Sequence, residues 1–404
     1  MTFADIEAAQ ERLDDPSVVK QTPVIQPASL ERMTASETLY LKLEHLQRTG
    51  SFKPRGAYNK IKATLDEQDL DHVIAASAGN HAQGVALAAT KLGVDSTVVM
   101  PETAPQTKVE ATRNYGATVE LVGQDFRAAT EYALELAENG NGEFVHAFDD
   151  PYIVAGQGTL GVEMAEDGPP VDTVIVPIGG GGLISGIATA FAELQPETRI
   201  VGVQATGAQT VLDSLDKGIP QTLDSVDTIA DGIATGGISE LTLSIIQDHV
   251  DEIVTVTDKE IADAILLLME RAKQVVEGAG AASVAALLSD ELDVTDETVM
   301  ALLCGGNLDM TTLQEVVVHA LTRREQIIRL QVRIDDEPGK MRDISGIIAE
   351  HGANIQTVRH DRALKTLNVG EAYLIFQVET SGAEQAAKIL DSIAEEGYEV
   401  TFKT

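Results

Sequence analysis

Short apolar runs alternate with stretches of helical period from about residue 37 to residue 325. LYLKLE (39–44), VIAAS (73–77), STVVM (96–100), ATVELV (117–122), DTVIVP (172–177), RIVGVQ (199–204) and VMALLC (299–304) read as strands, with helices at 79–92 and 182–194. This alternation predicts an α/β fold on an open, mostly parallel sheet, where sites gather at the carboxyl ends of strands. The catalytic part is expected over 1–325, with a smaller subdomain at roughly 45–150. From about 326 the pattern changes. IIRLQVRI is a strand, DEPG (336–339) a turn, and 340–351 a helix with Met341, Ile344, Ile347 and Ile348 at helical spacing. Strands at 354–360 and 372–380, a helix at 383–396 and a closing strand EVTFKT follow. That β-α-β-β-α-β order predicts a ferredoxin-like domain over 326–404.

Composition sharpens this picture. A chain of 404 residues exceeds the usual single domain, and 44% hydrophobic with 4% aromatic and no Trp implies a large, mostly aliphatic core. With 64 acidic against 29 basic residues the net charge is -35. Such a surface repels phosphate backbones, which argues against nucleic-acid binding. The excess is larger than an ordinary acidic enzyme needs, and predicts adaptation to high salt, where counterions screen the self-repulsion. The single cysteine, Cys304, excludes an intrachain disulfide and fits a reducing cytosol. The N-terminus MTFADIEAAQ lacks a signal-peptide core, and no apolar run is long enough to cross a bilayer. A soluble, cytoplasmic protein is expected.

Four strand-to-helix turns carry candidate chemistry. In SFKPRGA (51–57), Lys53 precedes a proline suited to a first helical turn. An amine held there can form a Schiff base, although a lone lysine at a helix start is more often a surface residue. In SAGNH, Ser77, Ala78, Gly79, Asn80 and His81 follow a strand and open a helix. Free N–H groups at such a start bind carboxylate or phosphate, or Ser77 or Asn80 merely caps the helix. Gly179, Gly180, Gly181 and Gly182, followed by Leu183, cost chain entropy that a phosphate cradle explains better than a plain turn. The run is late and contiguous, unlike a dinucleotide fingerprint, and no Walker lysine follows. Last comes Cys304-Gly305-Gly306-Asn307, where two glycines suggest a close approach to the backbone. Eight histidines show no zinc-ligand spacing and one cysteine cannot build a thiolate site, so no metal is expected. No G-x-S-x-G elbow is present.

Together the four turns resemble the β-family (fold type II, tryptophan synthase β-like) pyridoxal-phosphate enzymes, specifically the threonine ammonia-lyases. SFKPRGAYN, SAGNHAQG, AGQGTLGVE and GGGGLISG are similar to that family in order and spacing. The tail resembles an ACT domain in DEPGKM and GANIQTVRHDR. The resemblance implies that Lys53 holds pyridoxal 5'-phosphate as a Schiff base and acts as the base on the substrate α-proton. It implies that Asn80 bonds the ring hydroxyl, that Gly179 to Gly182 and Leu183 bind the phosphate, and that Cys304 faces the pyridine nitrogen. The turn of Ser77, Ala78, Gly79, Asn80 and His81 would receive the substrate carboxylate. Gly339, Asn354 and Ile355 would form an amino-acid effector site, often shared between paired domains, in a homo-oligomer (dimer or tetramer).

The chain departs from the family in reading Glu277-Gly278-Ala279-Gly280 where Glu-Pro is common, and Gln204 stands where the related serine racemases have an acidic cation ligand. Those racemases also carry serine at the position of Ala78. A serine racemase, threonine synthase or cysteine synthase on the same fold, or a non-catalytic amino-acid-binding protein, remain alternatives. The sequence leaves open isoleucine biosynthesis against threonine breakdown, and the identity of the effector.

Overall fold

The computed structural model describes residues 1–140, 142–363 and 366–403. The chain divides into two compact units, Met1–Asp309 and Met310–Thr404. The division falls earlier than a boundary near 326, because the helix Met310–Arg323 packs against the first strand of the second unit.

The first unit is built on two sheets. The larger has six strands in the order Val24–Ile25, Thr38–Lys42, Thr298–Leu302, Thr173–Pro177, Arg199–Ala205, Glu252–Val256, all parallel except the first pair. The smaller has four parallel strands in the order Thr118–Leu121, Asp95–Met100, His72–Ala76, Glu143–Phe144. The single sheet that alternation suggests is thus divided in two, the smaller one inside the expected subdomain. Strand Thr173–Pro177 is buried at every position, as a parallel strand covered on both faces must be. The helices Pro151–Asp167 and Gly182–Leu194 pack closely: a Cβ on Gly186 would stand 2.5 Å from the Val154 carbonyl oxygen. Asp150 caps the first of these, accepting from the N–H of Tyr152 at 2.7 Å, and Pro151 follows at the first turn.

In the second unit the strands Ile327–Asp335, Asn354–Asp361, Glu371–Glu379 and Glu399–Lys403 form an antiparallel sheet in the spatial order second, third, first, fourth. The helices Lys340–Glu350 and Ala383–Glu395 complete a β-α-β-β-α-β order. Ile328, Leu330, Val332 and Ile334 alternate onto one face with Leu374, Phe376 and Val378, and Ile344, Ile348, Ile389 and Ile393 of the two helices cover it. Ile347 packs at the edge of this core, whereas Met341, in the first helical turn, is exposed. Gly339 caps Lys340–Glu350 with φ +105°, a conformation that favours glycine.

Candidate active site

The helix Lys53–Glu67 starts in a framework of backbone bonds to the end of strand Thr298–Leu302. The Phe52 N–H donates to the Cys304 carbonyl at 3.3 Å, Ser51 and Gly305 form an isolated antiparallel bridge, and the Gly306 N–H donates to the Gly50 carbonyl at 2.8 Å. The chain reaches this point through two left-handed residues, Thr49 and Gly50. A Cβ on Gly50 would stand 2.5 Å from Asn307 Oδ1. The lysine and the cysteine are therefore held side by side by their own backbones.

One cleft is lined by Lys53, Gly179, Gly180, Gly181, Gly182, Leu183 and Cys304, with Phe148, Gln157 and Thr235 among the remaining walls. The Lys53 ammonium donates to the Ala147 carbonyl at 3.0 Å. Burial lowers its pKa to about 8, partly opposed by Cys304 and Glu277. In the same lining, Gly181 adopts φ +89° and caps the helix Gly182–Leu194, whose first N–H groups have no intrahelical acceptor and point to the helix start. A side chain at Gly180 would overlap the Phe148 ring. Cys304 is buried, and burial followed by Glu277 pushes its thiol far up, so it stays neutral.

Asn80 is the first residue of the helix Asn80–Leu92, and Gly79, not Ser77 or Asn80, is its N-cap. Its amide links the surroundings of the cleft: Nδ2 donates to Glu277 Oε1 at 2.6 Å, and Oδ1 accepts from Asn307 Nδ2 at 2.7 Å. Burial raises the Glu277 pKa to about 7, against the lowering effect of Asn80. Gly305 has no room for a side chain, since Glu277 occupies that space. Ser77, Ala78, Gly79, Asn80 and His81 all lie outside the lining of the cleft. The Ser77 hydroxyl accepts from the Gly79 N–H at 3.2 Å, and Ala78 packs against the cluster of Ala82, Ala86 and Val98. His81 Nε2 bonds the Val145 carbonyl at 2.9 Å, and burial, then Lys53, lowers its pKa to about 3. The ring is neutral, so it offers a ligand no charge.

The residues fit a pyridoxal-phosphate ring: an amine of low pKa for the aldehyde, N–H groups at a helix start for the phosphate, and a neutral thiol in the same lining. Among known proteins, the family model "Pyridoxal-phosphate dependent enzyme" matches residues 17–305. The chain belongs to that family. It is 43% identical over 400 residues to an L-threonine ammonia-lyase of Thermotoga maritima, covering 99% of each protein. The solved processed form of threonine deaminase isoform 2 from Solanum lycopersicum superposes with a TM-score of 0.72 at 37% identity, covering 79% of this chain and 87% of that one. A maize serine racemase superposes with a TM-score of 0.73 at 35% identity, covering 80% and 99%.

Phe148, Thr235 and Ile233 of this pyridoxal-phosphate enzyme were not evident as site residues in the sequence, the first two being isolated positions in loops and the third the end of the short helical turn Asp231–Ile233. Gln157 carried a signal, since it lies within AGQGTLGVE. Gln204 is occupied structurally: Oε1 accepts from the N–H groups of Thr210 and Val211, and Nε2 donates to the Ala208 carbonyl. In the second unit, Asn354 opens an edge strand with a bulge between Ile355 and Thr357. Through Glu379 it is in register with Ile327, whereas Gly339 follows Asp335 at the other end of that strand, about 30 Å away.

Proposed function

We propose that this enzyme deaminates L-threonine to 2-oxobutanoate and ammonia, and L-serine to pyruvate, with pyridoxal phosphate as cofactor. The observation that carries the reading is the buried, low-pKa amine of Lys53 facing the helix start at Gly182 across one cleft, in a chain 43% identical end to end with a threonine ammonia-lyase. Gly179, Gly180, Gly181, Gly182 and Leu183 would hold the phosphate by their N–H groups, and Asn80 the ring hydroxyl. When bound, the cofactor supplies an electron sink for the carbon that loses its proton. Lys53 would hold the cofactor through its amine and would take the substrate α-proton on Nζ. Cys304, kept neutral, donates no charge-forming proton to the ring nitrogen; a sink of limited strength favours prompt loss of the β-hydroxyl. The N–H groups at the turn from Ser77 to His81 would orient the substrate carboxylate. The product leaves as an enamine that water hydrolyses to the oxoacid and ammonia.

The second unit reads as an ACT regulatory domain, supported by its β-α-β-β-α-β order and antiparallel sheet. Gly339 and the pair Asn354–Ile355 stand at opposite ends of one sheet. A single effector site made from both therefore calls for a second copy, its edge strand Asn354–Asp361 laid antiparallel to the first, as in a homo-oligomer. Isoleucine or valine is the leading effector, in keeping with a biosynthetic role, and threonine breakdown is the other role. A cytoplasmic site of action and adaptation to salt complete the reading.

A second reading is serine racemase, favoured by the maize structure. The deciding assay for deamination is release of 2-oxoacid from threonine and serine by the cofactor-loaded protein, with and without branched-chain amino acids. Absence of oxoacid from both substrates overturns it. A chain truncated after Glu325 that keeps its response to the effector overturns the regulatory assignment.

A further inference from the structure

The motif AGQGTLGVE (155–163) contributes only Gln157 to the cleft, yet it lies in the helix that presses on the one beginning at Lys53. A Cβ on Gly156 would stand 2.6 Å from the Arg55 carbonyl oxygen, so glycine is needed for the two helices to approach. At this junction the protein buries two cations and two carboxylates. Arg55 Nε donates to Glu44 Oε1 at 2.7 Å and Nη2 to Glu163 Oε2 at 2.6 Å, while Nη1 reaches the Thr159 hydroxyl at 3.3 Å. Lys42 donates to Glu163 Oε1 at 2.5 Å and to the Thr22 carbonyl at 2.8 Å. Thr22 closes the cluster, its hydroxyl donating to Glu44 and its N–H to Glu163, each at 2.7 Å.

Glu44 is fully buried, and Lys42 and Arg55 are exposed by no more than 2%. A neutral cluster of this kind contributes little net stability, because the desolvation of four charges offsets their attraction. Its distinctive property is direction: a planar guanidinium meeting two carboxylates is fixed in angle as well as distance. Burial alone would lower the Arg55 pKa, but Glu44 and Glu163 outweigh it and raise it, so the cation persists at any working pH.

Lys53 and Arg55 are two residues apart in one helical turn, so their side chains leave the axis about 200° apart. One enters the cleft and the other enters the charge cluster. On a further side, a Cβ on Gly84 of Asn80–Leu92 would stand 3.0 Å from Lys53 Cβ. The first turn is therefore clamped between two helices and keyed by Arg55. We infer that Glu44 and Glu163, acting through Arg55, are positioning residues that set the placement of the Lys53 amine in the cleft. This rests on the reading of Lys53 as the cofactor-bearing base.

The test is Glu163→Gln and Arg55→Lys in the full chain loaded with cofactor. Arg55→Lys keeps the charge but cannot bridge both carboxylates in one plane, and it decides the matter should Glu163→Gln fail to fold. The expected result is near-normal cofactor content in both variants, near-normal melting for Arg55→Lys but lowered melting for Glu163→Gln, which leaves a buried cation uncompensated, kcat for threonine reduced roughly tenfold to a hundredfold as for a small misplacement of a reacting group, and a much smaller change in KM. The pH midpoint of the visible absorbance change that reports the Lys53–cofactor link should also move. A folded, loaded Arg55→Lys enzyme with wild-type kcat and midpoint overturns the inference, as does a loss of kcat matched by loss of cofactor. A wild-type enzyme that does not deaminate threonine overturns the activity instead, and the absorbance midpoint then still decides the positioning role.

Discussion

Asn80 and Glu277 are joined by a 2.6 Å hydrogen bond beside the Cys304–Gly305 turn, across 197 residues of sequence. The bond holds a carboxyl group whose pKa burial raises to about 7. A folded pKa above the unfolded value means that the fold binds the proton more tightly. The stability from Glu277 is therefore fully present below about 4.5 and is lost as pH rises through about 7. Glu277→Gln keeps an amide acceptor and removes the titration. In melting of the cofactor-free chain, the difference between variant and wild type should shift in favour of the variant as pH rises from about 5 to about 8. A constant difference across that range removes Glu277 as the titrating group.

Lys53→Ala should abolish turnover and the covalent cofactor link together. Loss of a general base alone costs about 10²–10⁴-fold, and loss of the Schiff-base amine adds to it. In the wild type, burial brings the Lys53 pKa to about 8, below the 10.5 of an ordinary lysine. The neutral amine is the nucleophile, so cofactor uptake by the cofactor-free protein should rise with pH and reach half its limit near that value. A variant with near-normal activity, or uptake that keeps climbing to about pH 10, the range of an ordinary lysine, contradicts this assignment.

Gly180→Ala tests the phosphate cradle. The new methyl overlaps the Phe148 ring, which must move or push the glycine run away from the helix axis. Overpacking of this kind costs about 1–3 kcal/mol, or about a fivefold to hundredfold loss of cofactor affinity if the strain falls on the cradle. Combining it with Phe148→Ala should restore retention. Equilibrium dialysis of the cofactor measures both; a single variant that retains cofactor as tightly as wild type shows that the run tolerates a side chain.

Much of this site was legible because three of its four pieces follow strand ends, where hydrophobic period and glycine coincide; Lys53 instead comes after two short helical turns, Glu44–Leu46 and Arg48–Gly50, that follow strand Thr38–Lys42. The helix 182–194 and strands such as Thr173–Pro177 stand close to where periodicity puts them. The strand Glu252–Val256 was not anticipated; it is a short edge strand set between acidic residues. Glu143–Phe144 spans two residues, too short for any period to register. Glu277 and Asn307 reach Asn80 only through the tertiary fold, and Phe148 meets the glycine run by the same route. Nothing in local sequence encodes those distances. The turn of Ser77 to His81 was legible as a helix start, but its side chains are turned to structural partners, which only packing reveals.

Salt should stabilise the protein. With a net charge of -35 the folded chain repels itself, and the Debye length falls from about 10 Å at 0.1 M to about 3 Å at 1 M. Melting temperature is expected to rise across that range in potassium chloride. A flat profile removes the case for adaptation to high salt.

The last prediction separates elimination from racemisation. A racemase needs an acid or base on each face of the planar carbon, and Lys53 serves one. In the serine racemases that the chain resembles, serine holds the position of Ala78. Here a methyl group stands there, packed against the apolar cluster that includes Ala82, Ala86 and Val98, and it carries no proton to give. The neighbouring Ser77 hydroxyl accepts from the Gly79 N–H at 3.2 Å and lies outside the lining of the cleft. His81, the other titratable group of the turn, is held neutral and bonded to the Val145 carbonyl. None of these side chains lines the cleft, so protonation from the far face lacks a donor there, and the carbon either regains its proton from Lys53 or loses the β-hydroxyl. L-serine should give pyruvate with negligible D-serine, and Ala78→Ser should raise D-serine while retaining part of the elimination. Chiral chromatography of the L-serine reaction is the measurement. D-serine formed by the wild type at a rate comparable to pyruvate would show a second proton donor and move the activity to racemisation.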